Sequence, residues 1–182
     1  MNQKSRKKML EIIPKNIYWL EDANPEYDLC VHGGFTISFN KKTIIDASNE
    51  NLTLSSAVIF LLRTIEEEHS FDNKICENLI PECGHEMFTS DSGGVEILTC
   101  PFGIDWWVEH NKEKVTLVFQ DGKEITTTLE DYIHAILKFA EKIKAFYDES
   151  ESKKFYDEEE KKAFKAFNSE WNMRVERASK LI

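Results

Sequence analysis

Between Val95 and Thr128 the chain alternates short β-type runs with turn residues, and this pattern restricts the fold more than any other feature. Asp121-Gly122 lies between the last two runs and favours a two-residue hairpin turn, because such turns need residues that tolerate positive φ. Consecutive short strands of this kind predict an antiparallel sheet with one face covered by helices. The runs cover residues 95–99, 104–109, 115–120 and 123–128.

A second hairpin is predicted over residues 35–46. Phe35 and Ile37 alternate with polar residues, so they share one face of a strand. A polar Asn-Lys-Lys turn follows, and a Thr-Ile-Ile run forms the returning strand. Gly33–Gly34 precede the hairpin and indicate a bulge or a flexible start to the strand. No Gly-rich segment opens a helix after them, so a phosphate-binding loop is not favoured.

Three amphipathic helices are predicted, over residues 53–68, 129–147 and 158–181. In each segment apolar residues recur at spacings of three and four, which places them along one helix face. Residues suited to N-terminal caps precede the second and third helices: Thr128 with Asp131, and Asp157 with Glu160.

The chain is acidic except at its start. Of the formal net charge of −10, residues 1–15 contribute +4 and the remainder −14. A short basic helix is predicted over residues 3–13, ending at Pro14. Because no apolar leader follows and the four cysteines suit reduced thiols, we expect a cytoplasmic protein. The acidic remainder favours a basic protein partner over nucleic acid, and no segment is apolar enough for a membrane span.

These patterns together predict one α+β domain over residues 1–182. An antiparallel sheet of about four to six strands, formed by the hairpin 35–46 and the meander 95–128, packs against three or four helices. Residues 129–182 form a C-terminal helical pair.

The strand over residues 104–109 carries the candidate binding residues. Alternation places Ile104, Trp106 and Val108 on a core face, and Asp105, Trp107 and Glu109 on the other. An aromatic anchor among carboxylates is a composition common at protein interfaces. Two alternatives stay open at this stage: Trp107 packs under the C-terminal helix, or the two carboxylates are catalytic.

A run of three carboxylates, Glu66, Glu67 and Glu68, ends the helix predicted over 53–68. Anions are disfavoured at a helix C-terminus by the macrodipole. The run is therefore either a solvated helix end or a peripheral contact for a basic partner.

Residues 69–94 are the least regular part of the chain, and loops of this length tend to be functional or mobile. A small-molecule or catalytic site in this loop would use His85, Asp91 and Ser92. A zinc site is not favoured, because the thiols and the imidazole lack the usual spacing of paired ligands. We therefore predict no metal or cofactor. The residues considered for zinc are Cys76, Cys83, His85 and Cys100.

Three features combine within residues 94–147: the block Asp105–His110, the Asp121-Gly122 hairpin and the helix opening Leu129–Ile133. This combination resembles the small immunity proteins of bacterial polymorphic toxin systems. The resemblance implies an acidic, cytoplasmic α+β domain without catalytic residues, which neutralises a cognate toxin by binding it. The alternatives are the ligand-binding or enzymatic domain with its site in loop 69–94, and a subunit that self-associates through the last helix.

Overall fold

The computed structural model describes residues 9–20, 24–84, 86–90 and 93–182, and within them the α+β class is confirmed. The helices are α1 (Leu54–Arg63), α2 (Leu129–Asp148) and α3 (Glu158–Ser179). The strands are β1 (Leu10–Tyr18), β2 (His32–Phe39), β3 (Lys42–Thr53), β4 (Ile80–Pro81), β5 (Glu86–Thr89), β6 (Val95–Leu98), β7 (Gly103–Ile104), β8 (Trp106–Asn111), β9 (Lys114–Phe119) and β10 (Glu124–Thr128).

Helix α1 is the centre of the core, and every residue from Leu54 to Leu62 is buried. A helix that is apolar on nearly all sides needs partners on all sides; here α2, α3, β2 and β4 supply them. Its buried hydroxyls are all hydrogen-bonded. The Ser55 hydroxyl accepts from the Val31 N–H, and Ser56 donates to the Gly84 carbonyl. The helix ends at Arg63, so the predicted last turn is absent and the carboxylate run lies beyond the helix.

The first sheet has the strand order β1-β2-β3 and contains the predicted hairpin, which is confirmed. Its register shifts between Gly33 and Phe35, as the Gly-Gly pair indicated. The helix predicted over residues 3–13 is wrong for the described residues 9–13: Met9 precedes β1, and residues 10–13 belong to it. Residues 3–8 lie outside the described ranges. Leu10 and Ile12 are buried at a spacing of two, which is a strand period. Pro14 is tolerated because β1 is an edge strand.

The predicted meander forms a sheet of only three strands, β8-β9-β10. The other two predicted meander strands pair elsewhere: β6 with β5, and β7 with β4. No strand joins the β8-β9-β10 sheet to the β1-β2-β3 sheet among the described residues, so the hairpin and the meander belong to separate sheets. The segment between β6 and β8 turns away at Gly103, whose φ is 153°. A Cβ on Gly103 would lie 2.6 Å from the Ile80 carbonyl oxygen, so the close β4–β7 pairing requires glycine.

The C-terminal helical pair is confirmed, including both caps. The Thr128 hydroxyl accepts from the Asp131 N–H, and the Asp157 carboxylate accepts from the Glu160 N–H. Phe167 and Trp171 of α3 are buried, so the apolar stripe of this helix packs within the chain.

Candidate functional site

The outer face of the β8-β9-β10 sheet carries the predicted binding residues. Trp107 is half-buried and Glu109 is exposed, while the alternating Trp106 and Val108 are buried, as the sequence predicts. The neighbouring strands continue the face: Val118 lies opposite Trp107, and Thr116 lies opposite Glu109. We call this surface, formed by Trp107, Glu109, Thr116, Val118, Glu124 and Thr126, the outer β8–β10 face.

Trp107 does not pack under the C-terminal helix. Its aromatic neighbour in the described part of the chain is His69, with ring centroids 5.2 Å apart and planes at 41°. Helix α3 instead contacts β5, β6 and α1. The Trp107 ring therefore packs against His69 at the edge of the sheet, and part of its surface is open to solvent.

His69 closes the free edge of β8. Its backbone N–H donates to the Val108 carbonyl at 3.0 Å, and the Val108 N–H donates to its carbonyl at 2.8 Å. Its ring Nδ1 accepts from the Ile75 N–H at 3.0 Å, so the neutral ring carries its hydrogen on Nε2. That Nε2 lies 3.1 and 3.3 Å from the two carboxylate oxygens of Asp105. Both ring nitrogens are engaged, so His69 is a positioning residue without a free nitrogen for acid–base chemistry.

Asp105 holds the start of the irregular segment onto β8. Its Oδ1 also accepts from the Leu79 N–H at 3.1 Å, and its side chain is only 10% exposed. Among the three predicted binding residues of this strand, Trp107 and Glu109 therefore face solvent, whereas the Asp105 carboxylate is committed to internal hydrogen bonds.

The three carboxylates after α1 take different positions. Glu68 accepts from the His110 N–H at 3.0 Å, which places it beside the outer β8–β10 face. Glu66 instead accepts hydrogen bonds from Arg174 and Arg177 of α3, at 2.6 and 3.5 Å. Glu67 lines a cavity beside α3. The structure thus brings part of the acidic run next to the Trp107 strand, from about 40 residues away in the sequence.

This cavity has a volume of about 590 Å³ and lies between α3, β6 and the segment after α1. Four basic side chains and three carboxylates line it, together with Ile75, Val95 and Met173. Because the two charge types are nearly balanced, the cavity has no strong preference for an anion or a cation. The charged residues are Arg63, Lys74, Arg174 and Arg177, with Glu67, Glu96 and Glu170.

Glu170 is the centre of a buried ion cluster in the wall of this cavity. Its carboxylate is 4% exposed and accepts two hydrogen bonds from Arg63, at 2.8 and 3.0 Å. It also accepts from Arg174 at 2.8 Å and from the Val95 N–H at 2.9 Å. Burial alone would raise its pKa, but the donors from Arg63, Val95 and Arg174 outweigh burial and lower the pKa to about 2. We call Arg63, Glu170 and Arg174 the Glu170 cluster.

The sequence contains an indication of the Glu170 cluster, but it lies in α3 and not in the strand pattern that predicts the binding residues. Glu170 lies on the apolar stripe of α3, directly before Trp171, and Arg174 follows one helical turn later. A carboxylate on a buried stripe needs a cationic partner. Its partner Arg63 is 107 residues away, a pairing that helix periodicity alone does not predict.

The predicted ligand-site residues His85, Asp91 and Ser92 lie outside the described residues. Within the described ranges, no group of three or more His, Cys, Asp or Glu side chains is placed to hold a metal ion. Cys83 and Cys100 are nevertheless adjacent, with the Cys100 N–H donating to the Cys83 sulfur at 3.1 Å.

No helix in the described part of the chain is long and apolar enough to cross a membrane. No family model, curated protein or solved structure matches this chain.

Proposed function

We propose that this protein is a non-enzymatic protein-binding module whose binding surface is the outer β8–β10 face. The observation that carries the proposal is the position of Trp107: a large aromatic side chain, partly open to solvent, on a sheet face where Glu109, Glu124 and Thr126 are exposed. Trp is the residue type most enriched among the side chains that dominate binding energy at protein interfaces.

The surroundings of Trp107 favour a basic partner. Glu109 and Glu124 are exposed on the same face, and Glu68 borders it through its hydrogen bond to the His110 N–H. An apolar anchor with a carboxylate rim accelerates association with a cationic surface and selects against acidic proteins.

The face is also rigid, because strand pairing on one side and His69 on the other hold β8 in place. A preorganised surface loses little conformational entropy on binding, which increases affinity. Asp105 contributes to this rigidity because it holds His69. Glu66 and Glu67 lie on the side that faces α3, farther from Trp107.

The most concrete form of this function is an immunity-type inhibitor, which binds and neutralises a cognate toxin in the cytoplasm. The acidic character of residues 16–182, with a net charge of −14, supports a basic toxin domain as the partner. Many toxins that act on nucleic acids are basic because they bind phosphate groups, and a rigid acidic surface competes for the same region.

The test is affinity capture of the tagged full-length chain from its native lysate, with washes at low and high salt. We expect a stoichiometric basic protein that is released at high salt. The captured protein, produced alone, should arrest growth of its host, and co-production of the present chain should restore growth.

Two variants and one matched control locate the surface. Trp107→Ala and Glu109→Lys should each weaken capture at least tenfold while leaving the melting temperature nearly unchanged. Glu141→Lys makes the same charge change on the exposed side of α2 and should capture the partner as the unmodified chain does. Equal capture by all three variants would overturn the proposed surface, and repeated capture of no protein would overturn the proposed function.

A ligand-binding function has one observation in its favour. The cavity of about 590 Å³ is lined partly by Lys74, Ile75, Ser90 and Gly94, which belong to the loop predicted to carry a small-molecule site. A thermal-shift screen of metabolites would support this function if a hit lost its effect in an Arg177→Ala variant. The absence of any hit favours the protein-binding function.

A further inference from the structure

Two of the four cysteines meet where the chain leaves β4 and approaches β7. These strands pair in antiparallel fashion, with Pro81 opposite Gly103. The pairing continues one step further, because the Glu82 N–H donates to the Phe102 carbonyl at 3.0 Å. Beyond this hydrogen bond, Cys83 is the next residue on one chain, and Cys100 lies two residues away on the other.

The two cysteines are in direct contact. The Cys100 N–H donates to the Cys83 sulfur at 3.1 Å. The Cys100 thiol lies 3.6 Å from the Phe102 carbonyl oxygen. Both cysteines are half-buried, so a small reagent can reach them. The short contact between the Cys100 N–H and the Cys83 sulfur places the two residues side by side, as formation of a disulfide requires.

Cys83 is held by its neighbour on the chain. The Gly84 carbonyl accepts from the Ser56 hydroxyl at 2.7 Å and from the Cys30 thiol at 3.6 Å, which fixes this segment to α1. A Cβ on Gly84 would lie 2.6 Å from the Ser56 hydroxyl oxygen, so the close approach depends on glycine. The geometry of the pair is therefore set by the core rather than by a free loop.

We propose that Cys83 and Cys100 are a dithiol modification site, which small-molecule disulfides of the glutathione class oxidise to an intramolecular disulfide. The Cys100 thiolate attacks the small disulfide, forms a mixed disulfide and releases one small thiol. Cys83 then loses its proton and attacks the Cys100 sulfur, which expels the second small thiol. Two protein thiols and one small disulfide thus give one protein disulfide and two small thiols.

The electrostatics of the pair agree with this order of attack. The hydrogen bond from Cys83 lowers the pKa of the Cys100 thiol, and the same contact raises the pKa of Cys83. Cys100 therefore holds more of the reactive thiolate. The other cysteines are disfavoured as nucleophiles: burial raises the pKa of Cys30 to about 12, and burial raises that of Cys76 well above its usual value.

The disulfide would close the chain around the β5–β6 hairpin. This hairpin lies between the two cysteines and exposes Phe88 and Leu98, which are 48% and 57% exposed. Closing such a loop restricts the unfolded chain, so the oxidised protein should melt at a higher temperature.

The experiment uses the full-length chain incubated with oxidised glutathione, followed by intact mass and peptide mapping. We expect a loss of about 2 Da, equal to two hydrogens, with the link mapped to Cys83 and Cys100. The melting temperature should rise by about 5 °C or more and return on addition of dithiothreitol.

Single variants separate the two roles. Cys83→Ser should accumulate a glutathione adduct on Cys100, because the resolving thiol is missing. Cys100→Ser should form no disulfide and react more slowly. Cys76→Ser is the matched control and should still form the link. A link that maps to Cys30 or Cys76, or unmodified thiols after treatment of the unaltered chain, would overturn the proposal.

Discussion

Two polar clusters attach the chain between α1 and β8 to the core, and they do so with different chemistry. The Glu170 cluster joins α1, α3 and β6 through a carboxylate held by two guanidinium groups. The pair of His69 and Asp105 joins β8 to the segment over residues 69–79 through one imidazole, one carboxylate and four hydrogen bonds that involve backbone groups.

The difference in composition indicates a difference in role. A buried carboxylate between two cations is strongly destabilising when one partner is lost, so the Glu170 cluster secures the packing of three elements. The His69 ring packs against the Trp107 ring, and the pair of His69 and Asp105 fixes the edge of the outer β8–β10 face. One cluster therefore maintains the fold, and the other maintains the proposed binding surface.

The largest effect should come from Glu170→Gln. This variant removes the charge that two arginines share and should lower the free energy of unfolding by about 3 kcal/mol, as for a broken buried ion pair. Glu176→Gln is the matched control: Glu176 also pairs one turn along α3, with Lys180, but on the exposed side, and should show no measurable change. Urea denaturation of both variants tests the difference, and equal stabilities would show that the cluster does not secure the fold.

Acid should weaken the Glu170 cluster in the unaltered chain. The pKa of Glu170 falls from 4.5 to about 2 on folding, so its stabilisation is complete above pH 4.5 and is lost as the pH falls from 4.5 to 2. Melting temperatures measured across this range should decline less steeply in Glu170→Gln than in the unaltered chain. Parallel declines would contradict the assigned role of Glu170.

A smaller loss is expected for His69→Ala, about 2 kcal/mol, because the Ile75 N–H and the Asp105 carboxylate each lose a hydrogen-bond partner. The fluorescence of Trp107 should also change, since the ring loses its neighbour. His134→Ala is the control, because His134 lies on the exposed surface of α2. Full stability with unchanged fluorescence in His69→Ala would show that His69 does not maintain the proposed binding surface.

The smallest effect on stability should come from Trp107→Thr. The half-exposed ring gives up little burial, and Thr suits a strand, so we expect a loss of about 1 kcal/mol or less. Chemical denaturation should show a smaller loss of unfolding free energy in Trp107→Thr than in His69→Ala, because Trp107 is partly exposed and His69 supports it. A loss as large as that of Glu170→Gln would place Trp107 in the core instead of at the surface.

Local patterns predicted the elements whose stabilising contacts are close in sequence. The caps at Thr128 and Asp157 and the two faces of β8 depend on neighbours within a few residues. The hairpin at Asp121-Gly122 is confirmed, but the two-residue turn is wrong: the Phe119 N–H donates to the Lys123 carbonyl, so the turn spans residues 120–122, and of these Gly122 alone has a positive φ. Strand β1 was missed because Ile12 and Ile13 also fit a short helix, and only its pairing with β2 decides between the two periods.

The sequence did not predict the long-range polar contacts, because their partners lie far apart along the chain. Nothing near Asp105 in the sequence indicates that its carboxylate is hydrogen-bonded to His69, so a buried positioning residue resembles an exposed binding residue. The sequence therefore predicts the face of β8 correctly but does not separate Asp105 from Glu109, although both alternate with the core residues of the same strand.

The burial of α1 on all sides has a consequence for how the protein opens. Because the side chains of this helix are buried from Leu54 to Leu62, we expect its amides to exchange with solvent through openings that disassemble the domain. A partner bound at the outer β8–β10 face would then slow exchange in α1 by a factor of one plus the ratio of its free concentration to its Kd, without touching the helix. Amide exchange in α1 can thus report partner binding at the outer β8–β10 face.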